Sequence, residues 1–308
     1  MSKVIKIGTR DSELALWQAH TVQQKLHELG YQTEIIAVKA TGDLILDKPL
    51  YELGITGIFT KTLDIAMLKG EVDIAVHSMK DVPTALPKGI VQAAVLERAS
   101  TLDILVYKGD LSFLENEAMS GTIATGSLRR KAQWLNRFPA HVVHDLRGNV
   151  NTRLKKLKDN PWNGAIFAAA GLERINLKPE QYIDLNWMTP APAQGAMVVV
   201  AMQHDSFSRE ALYHLNNQEA DICTHIERQF LKTLEGGCTA PIGALATIEK
   251  DKIQFKGVLF SLDGTKMLSI EKEINNDLYQ NFGELCAIEI LNNGGTDLMQ
   301  IIKSSLKK

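Results

Sequence analysis

The alternation of strand-like and helix-like segments starts twice in this chain, and that repetition constrains the fold more than any other feature. Lys3 to Gly8 reads as a short strand, Ser12 to Leu29 carries apolar residues at helical spacing before Gly30, and Gln32 to Lys39 alternates like a second strand. Phe59 to Leu68 reads as a helix broken by Gly70, and Asp73 to Val76 is a compact apolar strand. The pattern restarts at Gly121 with a strand (Thr122 to Thr125), a helix (Leu128 to Phe138), a strand (His141 to Asp145), a helix (Val150 to Lys158) and a strand (Gly164 to Ala168). Each run predicts an α/β unit built on a largely parallel sheet. Glu97 to Ser120 has little periodicity, and Trp187 to Gly195 contains Pro190 and Pro192, so both are expected to be connectors.

The tail changes style. A helix is expected from Gln218 to about Leu234, then a three-stranded meander (Ala244 to Ile248, Ile253 to Phe260, Met267 to Glu273) with an Asp263-Gly264 turn before its last strand. Helices over Tyr279 to Asn292 and Asp297 to Lys307 complete a small α+β domain. The expected division is 1–97 with 196–216, then 98–195, then 217–308, in keeping with a chain of 308 residues.

With 45% hydrophobic and 23% charged residues the chain can bury a core, and a net charge of −2 selects neither nucleic acid nor a membrane surface as partner. The first thirty residues hold no apolar core of signal-peptide length, and the apolar run Ala196 to Met202 is too short to cross a bilayer. Cys223, Cys238 and Cys286 are too few and too scattered for a disulfide framework, so the cytoplasm is the expected compartment. There is no GxxxxGK[ST] loop, no GxGxxG and no CxxC; neither a nucleotide cradle nor a metal site is expected.

Positive charge is concentrated locally. Six of the ten arginines (Arg129, Arg130, Arg137, Arg147, Arg153, Arg174) fall within one stretch, several at strand-to-helix junctions. Ligands bind at the carboxyl ends of strands in open α/β sheets, helix N-termini there favour anions, and guanidinium groups pair with carboxylates. A polyanion site is the local inference. A second basic junction, Gly8-Thr9-Arg10-Asp11-Ser12, ends the first strand, although Asp11 or Ser12 could serve only as a helix cap. Asp73 to Thr84 closes an apolar strand with His77, Ser78, Lys80 and Asp81, a set open either to acid–base work or to a plain surface turn. Cys238 follows two glycines past a helix end; nothing local marks it as an activated thiol, and a helix carboxyl end raises a thiol pKa.

In this order the segments GTRDSELALWQA (from Gly8), DIAVHSMKDVPT (Asp73), GSLRRKAQW (Gly126), LRGNVNTRLKKL (Leu146), AAAGLERI (Ala168), PAPAQGA (Pro190) and ERQFLKTLEGGCTAPIGA (Glu227) resemble the porphobilinogen deaminases. The resemblance implies an α/β fold of two type II periplasmic-binding-protein-like lobes plus a small C-terminal α+β domain. It implies a transferase that condenses four porphobilinogens, a small-molecule substrate, with loss of ammonia, into hydroxymethylbilane for haem biosynthesis; a monomer is expected because no long exposed apolar helix or strand stands out. It puts a covalent dipyrromethane on Cys238 by a thioether, a bond the thiol need form only once. Cofactor contacts are implied for Lys80, Ser78, Thr125, Ser127, Arg129, Arg130, Arg147 and Gly148, and substrate contacts for Arg10, Ser12, Arg153, Arg174 and Gln194. Asp81 is implied as the catalytic carboxylate, stabilising the cationic azafulvene left when ammonia departs. Where the family has GGKG, this chain reads Gly54-Ile55-Thr56-Gly57, without the lysine. Two alternatives stay open: a two-lobed solute-binding protein without chemistry, and a paralogue that binds tetrapyrrole without turnover.

Overall fold

The structure, a computed structural model, describes residues 3–38, 60–115, 119–234 and 240–306. Cys238 and the Gly54-Ile55-Thr56-Gly57 segment lie outside the described residues.

In chain order the first elements are β1 (Ile5–Arg10), α1 (Glu13–Glu28), β2 (Thr33–Val38), α2 (Lys61–Leu68), β3 (Ile74–Ser78) and β4 (Ile90–Val95). There follow β5 (Asp103–Tyr107), β6 (Thr122–Ala124), α3 (Leu128–Arg137), β7 (Val142–His144), α4 (Val150–Asp159), β8 (Gly164–Ala168), α5 (Ala169–Glu173) and β9 (Tyr182–Asp184). The chain continues with β10 (Met197–Met202), α6 (Ser206–Tyr213) and α7 (Gln218–Thr233). The tail holds β11 (Ile242–Glu249), β12 (Lys252–Phe260), β13 (Met267–Asn275), α8 (Phe282–Ile290) and α9 (Thr296–Leu306). Among the described residues, no helix is long and apolar enough to cross a membrane.

These elements form two compact units: 3–38, 60–99 and 195–222 in the first, and 100–115, 119–194, 223–234 and 240–306 in the second. The sheet of the first unit has the order β2-β1-β3-β10-β4. Its β10 runs antiparallel to both neighbours, whereas β1 is parallel to β2 and β3. Ile5, Ile7, Ile74, Val76 and Val199 put one face of this sheet against Ala19, Val22 and Leu26 of α1 and Ala211 and Leu212 of α6. The two-residue period of the strands and the near-four-residue period of α1 meet on that face, and each fully buried aliphatic side chain contributes about 1.5–3 kcal/mol.

The second unit holds the sheet β7-β6-β8-β5-β9, in which β5 is antiparallel to β8 and β9 while β6 is parallel to β7 and β8. The two sheets share one topology: three parallel strands, one reversed strand, then an edge strand. In each, the reversed strand is the one that follows a chain crossing from the other unit, β5 after Ala99 and β10 after Gln194. The same unit contains the C-terminal α+β domain, an antiparallel meander β11-β12-β13 with α8 and α9. The two α/β lobes and the small third domain are therefore the expected fold class.

Glu97 to Ser120 is not simply a connector. It contains β5, a strand of the second sheet whose buried run Asp103-Ile104-Leu105-Val106 lacks alternation because both faces are covered. The short edge strands β4 and β9 also escape the sequence pattern.

The meander meets α3 inside the second unit. Ala132 packs with Val258 and Phe260, and Asn136 Nδ2 donates to the Gly264 carbonyl at 2.8 Å. Gly264 has φ +77°, and a Cβ there would lie 2.4 Å from the Ala132 carbonyl oxygen. Gly264→Ala is expected to lower the unfolding free energy by at least about 1–3 kcal/mol, through both left-handed strain and collision, measured by urea denaturation.

Candidate active site

The sequence-predicted residues of the first unit gather at the carboxyl ends of two neighbouring strands. β1 ends at Arg10, and β3 ends at Ser78, followed at once by the single 3-10 turn Met79–Asp81 that carries Lys80 and Asp81. The parallel register Gly8↔Ala75 runs on to set Arg10 beside His77. Ser12 is the N-cap residue of α1, but its side chain makes no capping hydrogen bond. Ser78 accepts a 2.9 Å bond from Gln18 Nε2, which ties the strand end to α1. Asp81 and Lys80 are partly exposed, whereas His77 is buried and its Nε2 has no partner among the described residues. Burial, reinforced by the Arg10 charge, pushes the His77 pKa down to about 4. His77 is thus neutral, and Arg10 carries the positive charge at this corner.

In the second unit the predicted residues also cluster at strand carboxyl ends, after the adjacent strands β7, β6 and β8. Thr125 is buried just beyond β6, and its hydroxyl accepts from the Ser127 amide at 3.3 Å. Ser127 caps α3, its Oγ accepting from the Arg130 amide at 3.4 Å. Arg147 and Gly148 follow β7. Gly148 has φ +112°, a Cβ there would lie 2.6 Å from Thr152 Cγ2, and its carbonyl accepts from Arg153 Nε at 2.8 Å. Asn149 caps α4 by accepting from the Thr152 amide. Burial lowers the Arg147 pKa, with Asp145 opposing, and it lowers the Arg174 pKa to about 10, with Glu173 opposing. A buried guanidinium is held at a solvation cost that an anionic ligand would relieve.

Three predicted residues turn inward instead, towards a carboxylate that the sequence reading passed over. Asp103 opens β5 with no exposed surface. Its Oδ1 accepts from Arg130 Nε at 3.0 Å, Arg130 Nη2 at 2.7 Å and Gln194 Nε2 at 2.9 Å. Its Oδ2 lies 2.7 Å from Arg129 Nη1. Arg130 Nη1 donates to the Ile166 carbonyl at 3.0 Å, and Arg129 Nη1 to that of Thr189 at 2.8 Å. Gln194 also donates to the Thr101 carbonyl at 2.8 Å.

A second buried carboxylate was equally hidden. Glu227 on α7 accepts from the Ala193 amide at 2.6 Å and the Ala246 amide at 2.8 Å. Gln133 exchanges two bonds with Thr189, at 2.9 and 2.8 Å. The connector 189–194 is therefore fixed from α3, β5 and α7, and Ala193 is held at φ +62° within it. The only sequence signals for Asp103 and Glu227 are that one carboxylate begins an apolar strand and the other lies on the apolar stripe of a helix.

The remaining sulfurs are not candidates for chemistry: Cys223 and Cys286 are both buried, and burial pushes the Cys286 thiol up to about 11. Among the described residues no group of three or more His, Cys, Asp or Glu side chains could hold a metal ion. His141 is a structural histidine. Trp134 Nε1 donates to its Nδ1 at 3.2 Å, so its Nε2 carries the proton and faces the Phe113 carbonyl at 3.1 Å. Burial lowers its pKa too. Both histidines favour the folded state when neutral. Stability should be complete above about 6.5 and decline as pH falls towards 4, the value to which His77 is pushed. In His77→Asn that decline should shrink by up to about 3 kcal/mol, read from urea melts across the interval.

The family model described as porphobilinogen deaminase, dipyromethane cofactor binding domain, matches residues 5–210, and the model of the porphobilinogen deaminase C-terminal domain matches residues 222–292. A porphobilinogen deaminase of Desulfitobacterium hafniense is 40% identical over 308 residues, covering 99% of each chain. One of Campylobacter hominis is 40% identical over 302 residues, covering 96% of this chain and 97% of its own. Among solved structures, an ancestral cationic amino acid solute binding protein matches with a TM-score of 0.44 at 13% identity, covering 69% of this chain and 87% of its own. With both parts of its length matched by that family's models and near-complete relatives at this identity, the chain belongs to the porphobilinogen deaminase family.

Proposed function

We propose that this chain is a hydroxymethylbilane synthase that joins four porphobilinogens head to tail, releasing ammonia at each step, in the synthesis of tetrapyrroles. Family membership over both parts of the chain supports the reaction class. The observation that carries the assignment to particular residues is the placing of Asp81 one turn beyond β3, on the strand next to the one that ends in Arg10.

The substrate rings bear acetate and propionate groups, so a site for them needs paired cationic donors. Arg10 and Lys80 in the first unit, and Arg129, Arg147, Arg153 and Arg174 in the second, are proposed to receive those carboxylates, with Ser12, Ser78, Thr125 and Ser127 adding hydroxyl donors. The buried guanidinium groups of Arg129 and Arg147 fit a dipyrromethane, because this group is rich in carboxylates that guanidinium donors pair with. Bound by a thioether to Cys238, it would supply the free pyrrole position that accepts the first ring. Arg130 and Gln194 are proposed to act on the ligands from behind, through Asp103 rather than by direct contact.

Asp81 does the chemistry in this reading. A carboxylate beside the reacting ring stabilises the positive charge that develops as ammonia leaves and accepts the proton released when the new bond forms. Burial keeps His77 neutral, so it adds no positive charge at this corner. Gly148 lets the loop after β7 bring backbone donors close to an anion. Three domains (1–97 with 196–216, 98–195, 217–308), a monomeric state and a cytoplasmic location complete the proposal.

Intact-protein mass spectrometry tests it. The purified chain is expected to carry an adduct of two pyrrole units that is lost in Cys238→Ser; a bare wild-type chain would favour the solute-binding alternative. Asp81→Ala is expected to stay folded by circular dichroism and lose turnover by at least about 100-fold, the usual scale for a positioned acid–base group. Near-normal turnover in that folded variant would remove Asp81 from the mechanism.

A further inference from the structure

The Arg129–Arg130 pair does not present two equivalent cations. Both side chains are buried, and among the described residues the carboxylate paired with them is Asp103. Arg130 is committed inward through three nitrogens: Nε and Nη2 fork onto Asp103 Oδ1, and Nη1 reaches the Ile166 carbonyl. Arg129 reaches the same carboxylate and the Thr189 carbonyl with Nη1, whereas its Nε is buried without a partner among the described residues. Counted over these three side chains, two guanidinium groups and one carboxylate leave one net positive charge. The buried nitrogen of the pair left without a hydrogen bond among the described residues is Arg129 Nε.

Resting on the function proposed above, we infer that Asp103 is a positioning residue that divides the labour of this pair. It neutralises and locks Arg130, and it leaves one net charge and the Arg129 donor for a single ligand carboxylate. A buried carboxylate suits this work better than a neutral amide, because it sets both the orientation of the fork and the residual charge. Gln194 completes the device by fixing Asp103 Oδ1 from the connector side. The consequence is register: a pocket with room for one carboxylate accepts a growing chain of rings in fewer alignments than a pocket with two free guanidinium groups.

The test uses chains already carrying the two-ring adduct, exposed to less porphobilinogen than sites, with the ladder of added rings resolved by intact mass. In wild type, rings are expected to spread along the ladder. In Asp103→Asn, which removes the charge but keeps the shape, the share of chains beyond the first added ring is expected to fall about tenfold, the loss of one charged hydrogen bond. Gln194→Met, which leaves every charge in place, is expected to shift the ladder the same way to a smaller degree. Ile104→Val truncates a buried core residue on the same strand; it is expected to lower the melting temperature and leave the ladder unchanged, so that lost stability alone cannot imitate the effect. A folded Asp103→Asn chain with the wild-type ladder would overturn the inference. If that variant does not fold, a wild-type ladder in Gln194→Met overturns it. A wild-type chain without any adduct would instead overturn the proposed function, before the variants are compared.

Discussion

The second unit is organised around a carboxylate that water never reaches. Asp103 sits at the start of a strand with no exposed surface, and its oxygens gather α3, β8 through the Ile166 carbonyl bonded by Arg130, and the 189–194 connector at one point. An isolated ion there would cost several kcal/mol, so the arrangement is stable only because each oxygen meets a cation or an amide. The chain thereby gains fixed directions for the guanidinium groups on the first turn of α3, where the helix N-terminus already favours anions.

Glu227 does the same work by a different means. Its oxygens accept from two backbone amides, those of Ala193 and Ala246. One carboxylate orients side chains, the other orients backbone, and between them the connector is held where Ala193 adopts a left-handed conformation that an unsupported alanine would leave. The rigidity of this segment is therefore electrostatic in origin more than hydrophobic.

The lobes and the meander were legible because their periodicities are local: Leu128 to Phe138 against the observed Leu128–Arg137, or Ile253 to Phe260 against Lys252–Phe260, differ only at the ends. The strand β5 was not, because a run covered on both faces shows no alternation, and it lay in a stretch that otherwise reads as loop. The clustering of arginines at strand ends followed from the junctions themselves, but which guanidinium turns inward did not. The partners of Asp103 lie 27 and 91 positions away in sequence, and nothing local to Arg130 or Gln194 announces that contact. Arg10, Ser78 and Asp81 lie at the ends of two adjacent strands, β1 and β3, both of which the local α/β pattern marked.

The placing of β10 has a consequence for biosynthesis. The first sheet keeps a slot between β3 and β4 that β10 alone fills, and the ribosome delivers β10 only after it has made the whole of the second lobe. Until Met202 has left the exit tunnel, the nascent first lobe exposes two unpaired strand borders, the kind of edge that seeks a neighbour on another chain. The second lobe has no such delay, since its reversed strand β5 emerges before the others. Its sheet can close while the amino-terminal lobe still waits for β10.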